Sequence, residues 1–340
     1  MHLARCVHAT ALGGASAMSI LTMLAAIAAW PSIFVGGKEH ATPPWCTANP
    51  LLGSVVSPSS WHETEAAALR QIQSLPLQMM EWVTNATDVA AMRKRTMGQR
   101  LSSNGGSLPE GGEPALGERW RPFAVTGDCH VQEYPKVADR QDIKVADGSK
   151  WLCRGLDEQG PSCVVYSIGS NDQWDFEEAI FKGTQCTVFT FDCTITPRKM
   201  PDYIKKRVKF HNICVGSSDR TVGGQEFRTL GSMMRMLGHD AVTLLKMDVE
   251  GYEYDVLYSL LRRDDQWAYA RLPHQISIEL HYQAGKKAIG LGWYGRYLTV
   301  GELANLAQAL YWGGYRIVSS EVNPKWPQCI ELTLVRYRCP

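Results

Sequence analysis

Apolar runs and polar punctuation alternate along the second half of the chain. Residues 163–168 (CVVYSI) form a short apolar, β-branched run that stops at Gly169, the pattern of a strand buried on both faces. A helical pattern follows over 174–181, and 186–191 (CTVFTF) predicts a second strand ending at Asp192. Residues 208–215 predict a third strand, 241–247 (AVTLLKM) a fourth ending at Asp248, and 275–280 (QISIEL) a fifth. Helices are predicted over 253–261 and 303–311, and two last strands over 315–319 and 329–335. Strands alternating with helices need a parallel sheet covered on both faces. The two closing strands, joined by a short loop, predict an antiparallel edge strand. The expected fold is α/β, a doubly wound, Rossmann-like, mostly parallel sheet over residues 118–340.

The first third of the chain has a different pattern. No charged residue occurs between Arg5 and Lys38, and residues 18–35 (MSILTMLAAIAAWPSIFV) are almost wholly apolar. A membrane span needs about 20 such residues, so residues 1–37 are expected to be an uncleaved signal-anchor. The alternative is a signal peptide removed at Ala26-Ile27-Ala28, a small-x-small site; an arginine-rich mitochondrial presequence fits less well. Residues 38–117 read as a stem with a linker. Ser60 and Glu63 have capping-box spacing, apolar residues recur from Ala67 to Val83 with a break at Pro76, and 102–117 (SSNGGSLPEGGEPALG) has a flexible composition.

Composition narrows the function classes. With 35 Lys+Arg against 34 Asp+Glu in 340 residues, the chain lacks the basic surplus of a nucleic-acid binder. Its ten cysteines include no C-x-x-C pair, and nine follow the apolar segment, a density that suits an oxidising compartment better than a zinc ribbon. Asn85-Ala86-Thr87 is a glycosylation sequon. The expected location is therefore the secretory pathway, as a single-pass membrane protein facing the lumen or as a secreted one. Cys163 and Cys186 begin neighbouring parallel strands at one edge of the sheet, which predicts a disulfide between them.

In a doubly wound sheet, ligands bind beyond the carboxyl ends of the strands, where the strand order reverses. The residues there are Gly169-Ser170-Asn171-Asp172, Asp192, Asp248-Val249-Glu250-Gly251 and Glu279-Leu280-His281. Gly169 permits a tight turn under a ligand, and Asp192 stands where a carboxylate accepts bonds from ribose hydroxyls. That pair fits NAD or S-adenosylmethionine. A pyrophosphate needs G-x-G-x-x-G, whereas here bulky Trp174 follows and the next glycine is Gly183. S-adenosylmethionine carries no phosphate and tolerates the loop.

The segments Val165-Tyr166-Ser167-Ile168-Gly169-Ser170-Asn171, Phe176-Glu177-Glu178-Ala179, Phe191-Asp192 and Leu245-Lys246-Met247-Asp248-Val249-Glu250-Gly251-Tyr252-Glu253 resemble the FkbM-like class I methyltransferases, nearest the methyltransferase-like protein 24 branch. The resemblance spans about 151–335, with K-x-D-x-E-G-x-E its most specific piece. It implies a seven-stranded S-adenosylmethionine-dependent fold with Gly169, Ser170 and neighbours under the cofactor, Asp192 on its ribose and Asp248 close by. The family's D-x-G-x-N loop is replaced here by a version with no acidic residue before the glycine. The methionine amino group is left to Asn171, Asp172 or Glu177.

Methyl transfer to a hydroxyl requires a base, and Asp248, Glu279 and His281 converge at neighbouring strand ends, with His281 the natural base near neutral pH. The same three groups also suit a divalent metal that lowers the hydroxyl pKa, the less favoured reading. Glu250 and Glu253 read as helix-start carboxylates, and Lys246 as the partner of an acid. Residues 282–299 (YQAGKKAIGLGWYGRYLT) read as a substrate lid or as a loop packed by its own aromatics. The expected activity is O-methylation of a glycan or small hydroxylated acceptor; the alternative is a lumenal binding protein that keeps the fold without catalysis.

Overall fold

The computed structural model describes residues 120–134, 150–261, 265–281, 300–323 and 329–337. The expected anchor, stem, linker, sequon and lid lie outside the described residues. Among the described residues no helix is long and apolar enough to cross a membrane.

Twelve strands are described: β1 (Val131–Tyr134), β2 (Lys150–Cys153), β3 (Val164–Ile168), β4 (Thr187–Phe191), β5 (Val208–His211), β6 (Cys214–Val215), β7 (Arg220–Val222), β8 (Gln225–Arg228), β9 (Leu244–Met247), β10 (Gln275–His281), β11 (Tyr315–Val322) and β12 (Cys329–Arg336). Five helices accompany them: α1 (Asp175–Gly183), α2 (Leu230–Leu237), α3 (Glu253–Leu261), α4 (Gln266–Ala270) and α5 (Val300–Trp312). Seven strands form one sheet in the order β11-β12-β10-β9-β3-β4-β5. The pairs β3–β4, β4–β5, β3–β9 and β9–β10 are parallel.

Alternation along the strands sorts the core into two layers. Val165, Val188 and Leu244 pack with Phe176 and Ile180 of α1 on one face. Tyr166, Ile168, Phe191, Leu245 and Met247 pack on the other against α2, α3 and α5, through side chains such as Met233, Leu257 and Leu306. Capping fixes the helix starts: Thr229 Oγ1 accepts from Ser232 N at α2, and Asp265 Oδ1 from Ala268 N at α4.

Two expectations need correction. The antiparallel strand is not at the edge: β12 runs antiparallel to both β10 and β11 and lies between them. The crossover through α5 carries the chain one place beyond β10, and the hairpin return fills the vacant slot. Nor is 208–215 one strand. The chain turns where Ile213 N donates to His211 O (2.9 Å), a γ-turn, so β5 ends and Cys214–Val215 joins a separate sheet of order β6-β8-β7. In that sheet Gly223 and Gly224, at φ 59° and 83°, make the two-residue hairpin turn between β7 and β8.

The Cys163–Cys186 disulfide is present, with its Cα atoms 4.5 Å apart. Cys129–Cys153 and Cys193–Cys214, not foreseen, tie β2 to the segment before β1 and β6 to the segment after β4.

Candidate active site at the carboxyl edge of the sheet

Strand order reverses between β3 and β9, the point at which doubly wound folds place a ligand crevice between the loops that follow the strands. Gly169, at φ 79°, follows β3, and a Cβ there would sit 1.9 Å from the Asp248 carbonyl oxygen. Only glycine fits so close to β9. Lys246 Nζ, nearly buried, donates to Gly169 O at 2.7 Å. It thus secures the loop backbone, and no carboxylate among the described residues lies within ion-pair distance of it, contrary to the expected pairing.

Asn171 and Asp172 both adopt left-handed φ, at 49° and 56°, a conformation their short polar side chains tolerate. The bend is held from β4: Asn171 N donates to Asp192 Oδ2 at 2.9 Å, while Thr194 N and Oγ1 donate to Asp192 Oδ1 at 2.9 and 2.6 Å. Each carboxylate oxygen has two acceptor sites, so Oδ2 retains capacity for a further donor. Ser170 is buried, and its Oγ has no hydrogen-bond partner.

The other two residues expected near a cofactor amino group are otherwise engaged. Asp172 Oδ1 accepts from Trp174 Nε1 (2.9 Å) and Lys199 N (3.0 Å), and these bonds, the indole's first, hold its carboxyl below the usual range. Glu177 lies in the first turn of α1, wholly buried beneath the strands, where its Oε1 accepts from Ser167 Oγ at 2.7 Å. Burial pushes its pKa up against the pull of Lys246. Asp175, Glu177 and Glu178 place three carboxylates in the first turn of α1. They oppose an anion at that helix end, which disfavours a pyrophosphate there.

Across the crevice the expected trio does come together. Glu279 and His281 are buried at the end of β10, with Asp248 half-buried beside them. Burial, then repulsion from Asp248 and Glu331, pushes Glu279 up to about 8. Glu279 therefore holds its proton at neutral pH and donates it to Asp248. Burial works against the Asp248 carboxylate, yet Lys246, Lys150, His281 and this bond together keep it below its ordinary range. His281 is desolvated too, but Glu253 and Cys329 raise it well above the usual imidazole value, which favours its protonated form over the neutral base expected of it.

Five members of this cluster were missed or assigned only capping roles. Glu253 does cap, since its Oε1 accepts from Val249 N at 3.0 Å and Gly251 N at 3.1 Å. The same oxygen lies 3.0 Å from His281 Nδ1. Glu250, exposed and at φ 55°, brings Oε2 to 3.9 Å from His281 Nε2. Cys329 lies opposite His281 in the β10–β12 register. Lys150 of β2, also missed, pairs with Glu331 and stays charged despite burial because Glu331, Asp248 and Glu279 surround it. Only the i, i+2 spacing of Glu279 with His281 and of Cys329 with Glu331 hinted that each pair shares a face.

A Rossmann-like sheet with a glycine turn, an acidic second strand end and an ionisable cluster at the switch point defines a doubly wound α/β protein with its candidate site at that switch point. A protein-family profile described as a methyltransferase domain matches residues 131–336, more than half of the chain, and the chain belongs to that family. Solved structures with similar folds include a Burkholderia thailandensis 1,6-didemethyltoxoflavin-N1-methyltransferase with S-adenosylhomocysteine bound (16% identity over 52% of this chain and 71% of that one, TM-score 0.31). Another is Aeropyrum pernix fibrillarin in complex with S-adenosyl-L-methionine (12% identity, 53% and 69%, TM-score 0.30). Likeness at this distance carries no substrate or partner over to the chain. No curated protein sequence matches it.

Proposed function

We propose that the protein is an S-adenosylmethionine-dependent, FkbM-like methyltransferase that O-methylates a glycan or small hydroxylated acceptor in the secretory pathway. The observation that carries the cofactor assignment is the Gly169 loop: a turn closed on the Asp248 carbonyl, an orphaned buried Ser170 Oγ facing no partner, and an Asp192 carboxylate with acceptor capacity left. These residues fit a ribose and an uncharged thioether or sulfonium better than a pyrophosphate. When bound, the cofactor supplies a methyl group on a positively charged sulfur.

The chain's residues do the rest by position and charge. Asp192 would accept from the ribose hydroxyls of the bound cofactor, and the backbone of Ser170 and Asn171 would line the turn beneath it. On the acceptor side, ionised Asp248 accepts the hydrogen of the substrate hydroxyl, and protonated Glu279 and His281 hold that carboxylate's charge in place. The near balance of 35 basic and 34 acidic residues supports a glycan or small molecule over nucleic acid. Three disulfides among the described residues support a lumenal or secreted location, reached through the amino-terminal anchor.

Calorimetric titration of S-adenosylmethionine into the intact chain tests this reading. We expect one-to-one binding that weakens roughly tenfold or more in Asp192→Asn, the scale of one lost charge-assisted hydrogen bond. A folded chain that takes up no cofactor would favour the binding-protein alternative.

A further inference from the structure

The end of β10 reads Glu279-Leu280-His281 and the start of β12 reads Cys329-Ile330-Glu331. Antiparallel register sets His281 opposite Cys329 and Glu279 opposite Glu331. Because alternate residues share a strand face, a nitrogen, a sulfur and two carboxylates meet on one small patch. One ligand atom from each of Glu279, His281 and Cys329 lies within 4.8 Å of the other two, and all three residues are buried. Ligands of a tetrahedral ion stand roughly 3.3–3.8 Å apart, given metal–ligand bonds of about 2.0–2.3 Å.

Three further observations point to a cation. First, the Glu253 carboxylate grips His281 Nδ1 at 3.0 Å, which leaves Nε2 to face the cluster; a carboxylate behind a histidine is how ligating imidazoles are oriented and made more basic. The other oxygen of that carboxylate, Oε2, is fully buried with no hydrogen-bond partner. Second, Cys329 is the one free cysteine among the described residues, where six others are in disulfides. Third, among the described residues the carboxyl groups of Asp248, Glu250, Glu253 and Glu331 stand around Lys150, Lys246 and His281, and a divalent ion would take the place of the protons that Glu279 and His281 hold without it.

We propose that Glu279, His281 and Cys329 form a binding site for a zinc-class transition-metal ion, with a fourth position open towards Asp248 and Glu250. The thiolate and imidazole select a borderline-soft ion over calcium or magnesium, which take oxygen ligands. Asp248 and Glu250, whose ligand atoms lie within 4.8 Å of that of His281, face the open position. A water or an acceptor oxygen bound there stands between the metal and Asp248. Metal binding does not depend on the methyl-transfer reading.

The test uses the intact chain, stripped with chelator and titrated with Co²⁺ and then Zn²⁺. We expect one equivalent of Co²⁺ to give visible tetrahedral bands and a near-ultraviolet thiolate-to-cobalt band, both lost on adding Zn²⁺. Cys329→Ser should abolish the thiolate band while keeping the protein's circular dichroism, and Glu253→Gln should weaken binding about tenfold. X-ray absorption of the zinc-loaded wild-type chain supplies a readout free of variants: one sulfur, with nitrogen and oxygen completing the shell. No cobalt uptake by the folded wild-type chain, a shell without sulfur, or a thiolate band that survives Cys329→Ser would each overturn the proposal. Cofactor titration is read separately, so failure of one assignment does not imitate failure of the other.

Discussion

At Gly169 two constraints coincide, a left-handed φ and a carbonyl oxygen where a side chain would begin. Gly223 has a similar φ of 59° but nothing within 4 Å of an added Cβ. Gly169→Ala should therefore cost roughly 2–4 kcal/mol, combining backbone strain with overpacking, and Gly223→Ala only about 1 kcal/mol. Urea denaturation of the two variants checks the contrast; equal losses would mean that the approach of the Gly169 loop to β9 is not as tight as described. His274 gives a pH signature. Burial, then the charge of Arg336, depresses its pKa to about 4, against about 6.5 in an unfolded chain. Between those values the unfolded chain binds the extra proton, so stability falls as pH drops through this window, by up to roughly 3 kcal/mol. Urea midpoints between about pH 7 and about pH 4.5 should fall less steeply in His274→Gln than in the wild-type chain. The residues of the glycine turn and the acidic strand ends were legible because each follows an apolar run in sequence. Cys329 was not, because its value as a partner of His281 arises only when β12 pairs with β10.

Among the elements, the apolar strands and the helix over 253–261 were readable from period alone, since burial on both faces demands unbroken apolar runs. Elements whose residues are mostly polar were not. β1 (Val131–Tyr134) reads VQEY and, among the described residues, pairs only with β2, and β8 (Gln225–Arg228) reads QEFR in a sheet of three strands. The slot taken by β12 was misread for a different reason: strand order is set by where a crossover lands, and periodicity carries no information about that. The disulfide linking the starts of β3 and β4 encloses a sequence separation of 23 residues. Replacing both Cys163 and Cys186 with alanine should cost about 3 kcal/mol. The shift in denaturation midpoint checks it, and non-reducing peptide mapping should recover the bridged peptides from the wild-type chain.

Seen whole, the described domain divides its chemistry across the strand-order switch. In the proposed reading, cofactor-facing groups would come from the loops after β3 and β4, and acceptor-facing groups from β9, β10 and β12. The fold class and the location of this crevice followed from sequence, whereas the proton states within it follow from burial and neighbouring charge. The proposed secretory location makes its own prediction. In microsomes the intact chain should resist added protease and carry a glycan on Asn85 that is lost in Asn85→Gln; a protease-sensitive, unglycosylated chain would place it on the cytosolic side.

The position of β12 has a consequence for biogenesis. It is the last of the twelve described strands to leave the ribosome, yet it lies inside the sheet. Until it arrives, the flank of β10 that β12 will cover has no partner, with its row of backbone amides and carbonyls open to other chains. The half of the crevice built from β3 and β4 can form during synthesis, but Glu279 and His281 must wait for Cys329. A nascent chain thus passes through a stage with half a crevice and a sticky sheet margin, the stage at which a chaperone would be needed.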